Sequence, residues 1–137
     1  MNTAVFSGLS KYRDLGLLVV RLALGAAFVI YGYPKMLGGP AGWEKLGGAV
    51  GVFGIKVYPM AWGFAAAFAE FAGGILLILG LFFRPAALLL LCTMIVAAAT
   101  HLAAGDEIFK VLHPVELGAV FFALLFEGPG KFSVDGR

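Results

Sequence analysis

The stretch LGLLVVRLALGAAFVIYGYP, residues 15–34, decides the architecture. Its 20 residues hold a single charge, Arg21. As an α-helix they rise about 30 Å, the thickness of a bilayer's hydrocarbon core. Lys11 and Arg13 precede the stretch, as basic residues precede the apolar run of a secretory signal. The charge at Arg21, the lack of a small-x-small cleavage site and the continuation through Tyr31 and Tyr33 make it instead an uncleaved membrane span.

Three further runs, residues 59–83, 85–104 and 111–126, have the same character. They lack the alternation of a membrane β-barrel, and a backbone in lipid must satisfy its own hydrogen bonds, so all four spans read as helices. The predicted fold is all-α: an integral membrane four-helix bundle forming one domain over residues 1–137, with mostly antiparallel neighbours because the connections are short. Composition agrees. The 137-residue chain is 61% hydrophobic and 13% charged, with a mean hydropathy of +0.97. Soluble domains run near half apolar and a quarter charged, and a domain this small hides only about two-thirds of its surface. A soluble fold, a disordered chain and a disulfide scaffold are excluded, and the lipid bilayer becomes the first partner. A net charge of +2 without a basic stripe argues against nucleic acid. Cys92 is alone, so neither an intrachain disulfide nor dithiol exchange is available.

Residues 35–57 contain seven glycines, with Trp43, Leu46, Val50 and Phe53 at helical spacing. A short interfacial helix and a glycine-rich loop both fit this pattern. Phe83-Arg84-Pro85 forms a tight corner, with proline at a helix start. Four spans put both termini on one side. That side carries Lys11, Arg13, Arg84, Lys131 and Arg137, against Lys35, Lys45, Lys56 and Lys110 on the other. The bias places the termini in the cytoplasm.

The informative residues are ionisable groups inside the spans. A charge at the centre of a membrane helix costs about 2.5–3.5 kcal/mol on insertion scales, so such groups face the bundle interior and find partners. Measured from the terminal side, Arg21 lies about 9 Å deep, Glu70 about 18 Å, Glu116 about 22 Å, His101 and Tyr31 about 24 Å and His113 about 27 Å, with Lys35 at the far rim. All but Arg21 fall in one layer. Glu70, His101 and Glu116 are the candidate catalytic groups. Arg21, Tyr31, Lys35 and His113 are the candidate ligand-binding groups. Glu70 is followed by Gly73 and Gly74, and Arg21 by Gly25, so both lie on faces that a neighbouring helix can approach closely. His113 and Glu116, three apart, share a face. Bland readings stand beside these: an Arg21–Glu70 ion pair fixing helix register, His101 capping a helix end, Lys35 snorkelling to the rim.

The runs Arg21-Leu-Ala-Leu-Gly25, Gly32-Tyr-Pro-Lys35, Glu70-Phe-Ala-Gly73-Gly74 and Gly80-Leu-Phe-Phe-Arg84, with His101 closing the third span, resemble the DoxX family of small bacterial four-helix membrane proteins. The tail Gly128-Pro-Gly130-Lys-Phe-Ser133-Val-Asp135 is similar to the end of proteobacterial members. The resemblance implies four spans in a bacterial inner membrane and a redox setting. The family takes its name from a subunit associated with thiosulfate:quinone oxidoreductase, and other members are linked to membrane redox and oxidative-stress complexes.

Four functions are compatible with these residues. The first is a quinone-linked redox subunit, its polar layer holding the quinone headgroup and carrying protons, its electrons coming from another redox protein or subunit. No covalent cofactor is expected. The second is a metal site built from His101, His113, Glu116 and Glu70, His113 and Glu116 having a spacing used on bundle helices. The third is a non-enzymatic anchor or assembly factor for a soluble oxidoreductase. The fourth is a proton or small-solute pathway. The sequence also admits a homo-oligomer.

Overall fold

A computed structural model describes residues 5–136. Arg137, counted above among the terminal-side cations, lies outside them. Five α-helices follow in order: α1 (Arg13–Leu37), α2 (Gly39–Gly47), α3 (Pro59–Leu79), α4 (Phe83–Ala103) and α5 (Ile108–Glu127). Two short 3-10 segments, Ser7–Tyr12 and Gly48–Phe53, complete the regular structure, and there is no strand among the described residues. The helices α1, α3, α4 and α5 are long and apolar enough to cross a membrane, as expected. The helical reading of residues 35–57 holds as α2 and the 3-10 segment after it, with the Trp43 ring 5.0 Å from that of Phe64 on α3.

Helix ends differ from the sequence reading where local chemistry decides them. The helix α3 stops at Leu79, four residues short of the expected 83, because Gly80 enters the left-handed region at φ 65°. There its N–H bonds Leu77 O at 3.1 Å while Leu81 N–H bonds Leu76 O at 3.1 Å, a Schellman closure. The helix α4 starts at Phe83, two residues before Pro85. The helix α1 continues past Pro34 to Leu37, and both Gly38 N–H (3.2 Å) and Trp43 Nε1–H (3.0 Å) close onto Lys35 O. Lys35 therefore stays on a helix, on the face of Phe28 and Tyr31.

The helices α1 and α3 run antiparallel with their backbones in contact. A Cβ on Gly25 would stand 2.6 Å from Gly74 O, and one on Gly74 would stand 2.7 Å from Gly25 O. Lipid removes the hydrophobic drive between helices, so close packing of this kind holds the pair. The core is Leu17, Phe28, Leu77, Phe83, Leu90 and Phe121 with their neighbours. The rings of Phe28 (α1) and Phe121 (α5) meet edge to face at 5.2 Å, which closes the bundle. Large apolar side chains such as Val19, Ile30, Phe68, Leu88 and Phe122 point outward, as a lipid-facing surface requires. Thr93 and Thr100 give their hydroxyl protons to Leu90 O (2.8 Å) and Val96 O (2.7 Å), so neither is left polar in the bilayer.

The tail, expected to be merely polar and short, is built into the fold. Val134 N–H bonds Leu79 O at 3.1 Å and Asp135 N–H bonds Gly80 O at 2.9 Å. The Asp135 carboxylate accepts the N–H groups of Phe82 (3.1 Å) and Phe83 (2.8 Å), capping α4 from 52 residues away. Lys131 N–H bonds Asp14 at 3.1 Å, Arg84 Nε–H bonds Leu125 O at 2.8 Å, and Arg13 pairs with Glu127.

Candidate functional site

Arg21 belongs to this tail end of the bundle. It is 1% exposed. Its guanidinium donates to Leu77 O (3.0 Å), Ile78 O (2.8 Å), Pro129 O (3.1 Å) and Phe132 O (2.8 Å). Two of these acceptors are carbonyls from the last turn of α3: Leu77 O, which also accepts the Gly80 N–H of the Schellman closure, and Ile78 O, one of the end carbonyls that a helix leaves without an internal donor. The planar fork lets one residue serve four acceptors. The expected Arg21–Glu70 pair is absent: Arg21 is consumed by backbone, and Glu70 has another partner.

That partner is Lys35, whose Nζ donates to Glu70 Oε2 at 2.8 Å and Oε1 at 3.0 Å. Glu70 is 7% exposed. The pair stands on a cavity of about 220 Å³ at the end of the bundle opposite the tail. Each membrane helix gives it residues at helical spacing: Phe28, Tyr31 and Lys35 from α1, Glu70 from α3, Met94, Ala97 and His101 from α4, and Lys110, His113, Pro114 and Leu117 from α5. Pro114 brings no N–H, so the Lys110 carbonyl lacks its helical donor beside this cavity. The Phe28 ring meets Tyr31 edge-on at 5.6 Å.

His101 Nδ1 lies 2.8 Å from Asp106 Oδ2 in the α4–α5 turn, and Asp106 N–H bonds back to His101 O at 3.1 Å. The hydrogen bond with His101 holds the Asp106 carboxyl below its ordinary value, outweighing the opposing effect of desolvation, and the nearby charge of Lys110 adds a smaller push in the same downward direction. With Nδ1 given to Asp106, Nε2 is the ring nitrogen available to a ligand. His101 thus does more than cap a helix end: it is oriented by a carboxylate and lines the cavity.

Of the sequence candidates, Tyr31, Lys35, Glu70, His101 and His113 come together. Arg21 does not, nor does Glu116, which is exposed and off the cavity wall. Depth put Glu116 in the right layer, but its rotation about α5 carries it about 100° away from Leu117, which faces the cavity. The spacing to His113 was too coarse a guide: the two share the outer side of α5 about 60° apart, and only His113 reaches round to the cavity. Lys110 was missed as a cavity residue; its place one turn before His113 was the available signal. The proposed metal donors do not converge: among the described residues no group of three or more His, Cys, Asp or Glu side chains is placed to hold an ion.

A second space, about 340 Å³, adjoins the first between α4 and α5. The two share Met94 and Pro114, and the walls of the second are entirely apolar, formed by Leu91, Ile95, Ala98, Val115, Gly118, Ala119 and Phe122 besides the shared pair.

Comparison with known proteins places this bundle. The model of the DoxX family matches residues 16–103, and the chain belongs to that family. It is 30% identical over 147 residues, across the whole of both chains, to a protein of Escherichia coli (strain K12) named inner membrane protein YphA. It is 33% identical over 137 residues, 96% of each chain, to an uncharacterized protein of Haemophilus influenzae. A second E. coli protein, named inner membrane protein YqjF, is 28% identical over 130 residues, 93% of this chain and 95% of that one. No solved structure matches it. The chain is a multi-pass membrane protein.

Proposed function

We propose that the protein is the membrane subunit of a quinone-linked redox system in a bacterial inner membrane, with both termini in the cytoplasm. The observation that carries this reading is the gathering of Tyr31, Lys35, Glu70, His101 and His113, from four helices, onto one cavity inside an otherwise apolar bundle. Ionisable groups are expensive at that depth, and a convergent set is what a polar headgroup needs. Lys35, Tyr31 and the imidazoles offer donors to quinone carbonyl oxygens. Glu70 and His101 are groups through which protons reach or leave that site, since reduction of a quinone to the quinol consumes two electrons and two protons. The electrons come from another redox protein or subunit.

The adjoining apolar space supports an amphiphilic ligand. It runs from Pro114 to Phe122 along α5, about 12 Å towards the middle of the bundle. A prenyl tail lying there keeps the headgroup at the polar end. The donor geometry favours this reading over a resident metal, because Glu70 is held by Lys35 and His101 by Asp106.

Titration of the protein in nanodiscs with ubiquinone and menaquinone analogues tests it. Saturable binding is expected, weakened about 10- to 100-fold by Lys35→Ala or Glu70→Gln. Gly118→Leu, which fills the apolar space, weakens long-tailed analogues while leaving tail-less ones bound. No saturable binding to wild type overturns the reading, and a soluble oxidoreductase that co-purifies regardless of Glu70 and His101 substitution makes the protein an anchor instead.

A further inference from the structure

Glu116 is the ionisable group that the cavity leaves unexplained. It is the ninth residue of α5, about 12 Å from the start of that helix. The buried residues of α5 are Val111, Pro114, Gly118, Phe121 and Leu124. At about 100° per residue, Glu116 points directly away from them. It is exposed, in the middle part of a helix long and apolar enough to cross a membrane. Phe109, Leu112, Val120 and Ala123 surround it on the same face and are also exposed. A carboxyl group turned outward into lipid is the arrangement a membrane protein avoids, unless another helix meets it.

We infer that this face of α5 is covered by the same face of a second copy of the chain, forming a two-fold dimer with Glu116 at its centre. The face is self-complementary. It carries one acceptor, Glu116, and one imidazole donor, His113, a single turn apart and both exposed. A two-fold axis along the bilayer normal sets the two α5 helices parallel, with the two Glu116 side chains at one level and the other copy's His113 about 4.5 Å along the axis from each, so that a Glu116–His113 contact, made twice, offsets the approach of the two carboxyl groups. Ala119 and Ala123, four apart and both exposed, let the helices approach closely at the level just beyond Glu116. The edges of this face are shared with the ligand spaces, His113 lining the polar cavity and Ala119 the apolar one, so the tests turn on Glu116 and Ala123, which line neither.

Two measurements test the interface. In a Cys92→Ser background, Ala123→Cys in native membranes is expected to form an oxidised dimer of twice the chain's mass, while Leu88→Cys on the outer face of α4 does not. Single-molecule photobleaching in liposomes is expected to show wild-type dimers and a dissociation constant raised about tenfold or more by Glu116→Leu. Glu116→Gln, which keeps a hydrogen-bonding side chain, recovers most of that loss. Monomers at all lipid dilutions, equal crosslinking from Leu88→Cys, or crosslinks from Ala123→Cys only to a different polypeptide would each overturn the inference.

Discussion

Arg21 and Glu70 are both charged side chains buried in one membrane bundle, and they are treated in opposite ways. Arg21 is closed off. Its fork reaches four backbone carbonyls, and α1, the last turn of α3 and the tail are joined through it. Glu70 has a single side-chain partner, Lys35, and that pair borders a cavity which Tyr31, His101 and His113 also line. Hydrogen-bond saturation with no space beside it is what a structural device looks like. Polar groups held at the edge of an unfilled space are what a binding site looks like. Burial alone does not separate the two; the count of partners and the adjacent volume do.

The comparison breaks most visibly at Arg21. Arg21→Leu leaves the part-buried carbonyls of Ile78, Pro129 and Phe132 short of a donor, and Leu77 O with the Gly80 N–H alone. At about 1–3 kcal/mol for each stranded group, the loss is about 3 kcal/mol or more, a large share of a membrane domain's stability. Unfolding in mixed detergent micelles is expected to show this loss, with Arg21→Lys recovering little because an ammonium cannot serve the same planar set. A small change in stability would remove the distinction between the two ends.

Asp135→Ala tests the same end more gently. It removes the acceptor for Phe82 N–H and Phe83 N–H and so the cap of α4, at a cost of about 1–2 kcal/mol. Hydrogen exchange is expected to rise at the first turn of α4 and not at its His101 end.

The four spans and the buried charges were readable in the sequence because insertion cost depends on composition and length, which a chain displays directly. Depth was readable too, since rise per residue is constant, and it put Tyr31, Glu70, His101 and His113 in one layer correctly. Rotation was not. Glu116 has the right depth and the wrong azimuth, and no periodicity in so uniformly apolar a helix distinguishes its faces. The Arg21–Glu70 pair failed for a different reason: the true acceptors are main-chain carbonyls, two of them in a tail whose return to the α3–α4 corner depends on Gly128, Gly130 and Asp135 together. Backbone acceptors carry no residue-type signature.

At the cavity end, Glu70→Gln sharpens the contrast by what it leaves unchanged. Lys35 keeps 39% of its side chain exposed and can turn to solvent, so stability is expected to fall by about 1 kcal/mol or less. The ligand affinity described above falls far more. Equal losses in stability and affinity would mean that Glu70, like Arg21, serves the fold.

The smallest effect is at the α4–α5 turn, where Asp106 orients His101. Its carboxyl is held below its ordinary value, chiefly by the hydrogen bond with His101. A depressed carboxyl stabilises the fold while it is ionised. The contribution is therefore complete above the unfolded value of 3.8 and is lost as pH falls through the lower folded value. Asp106→Asn removes this dependence. The difference in melting temperature between wild type and Asp106→Asn is expected to be constant at neutral pH and to shrink in acid below about pH 4. Because Asp106 positions the imidazole without lining the cavity itself, the variant is also expected to change the pH profile of quinone binding more than its maximum. A difference that grew as the pH fell would reverse the sign and remove Asp106 as the group orienting His101.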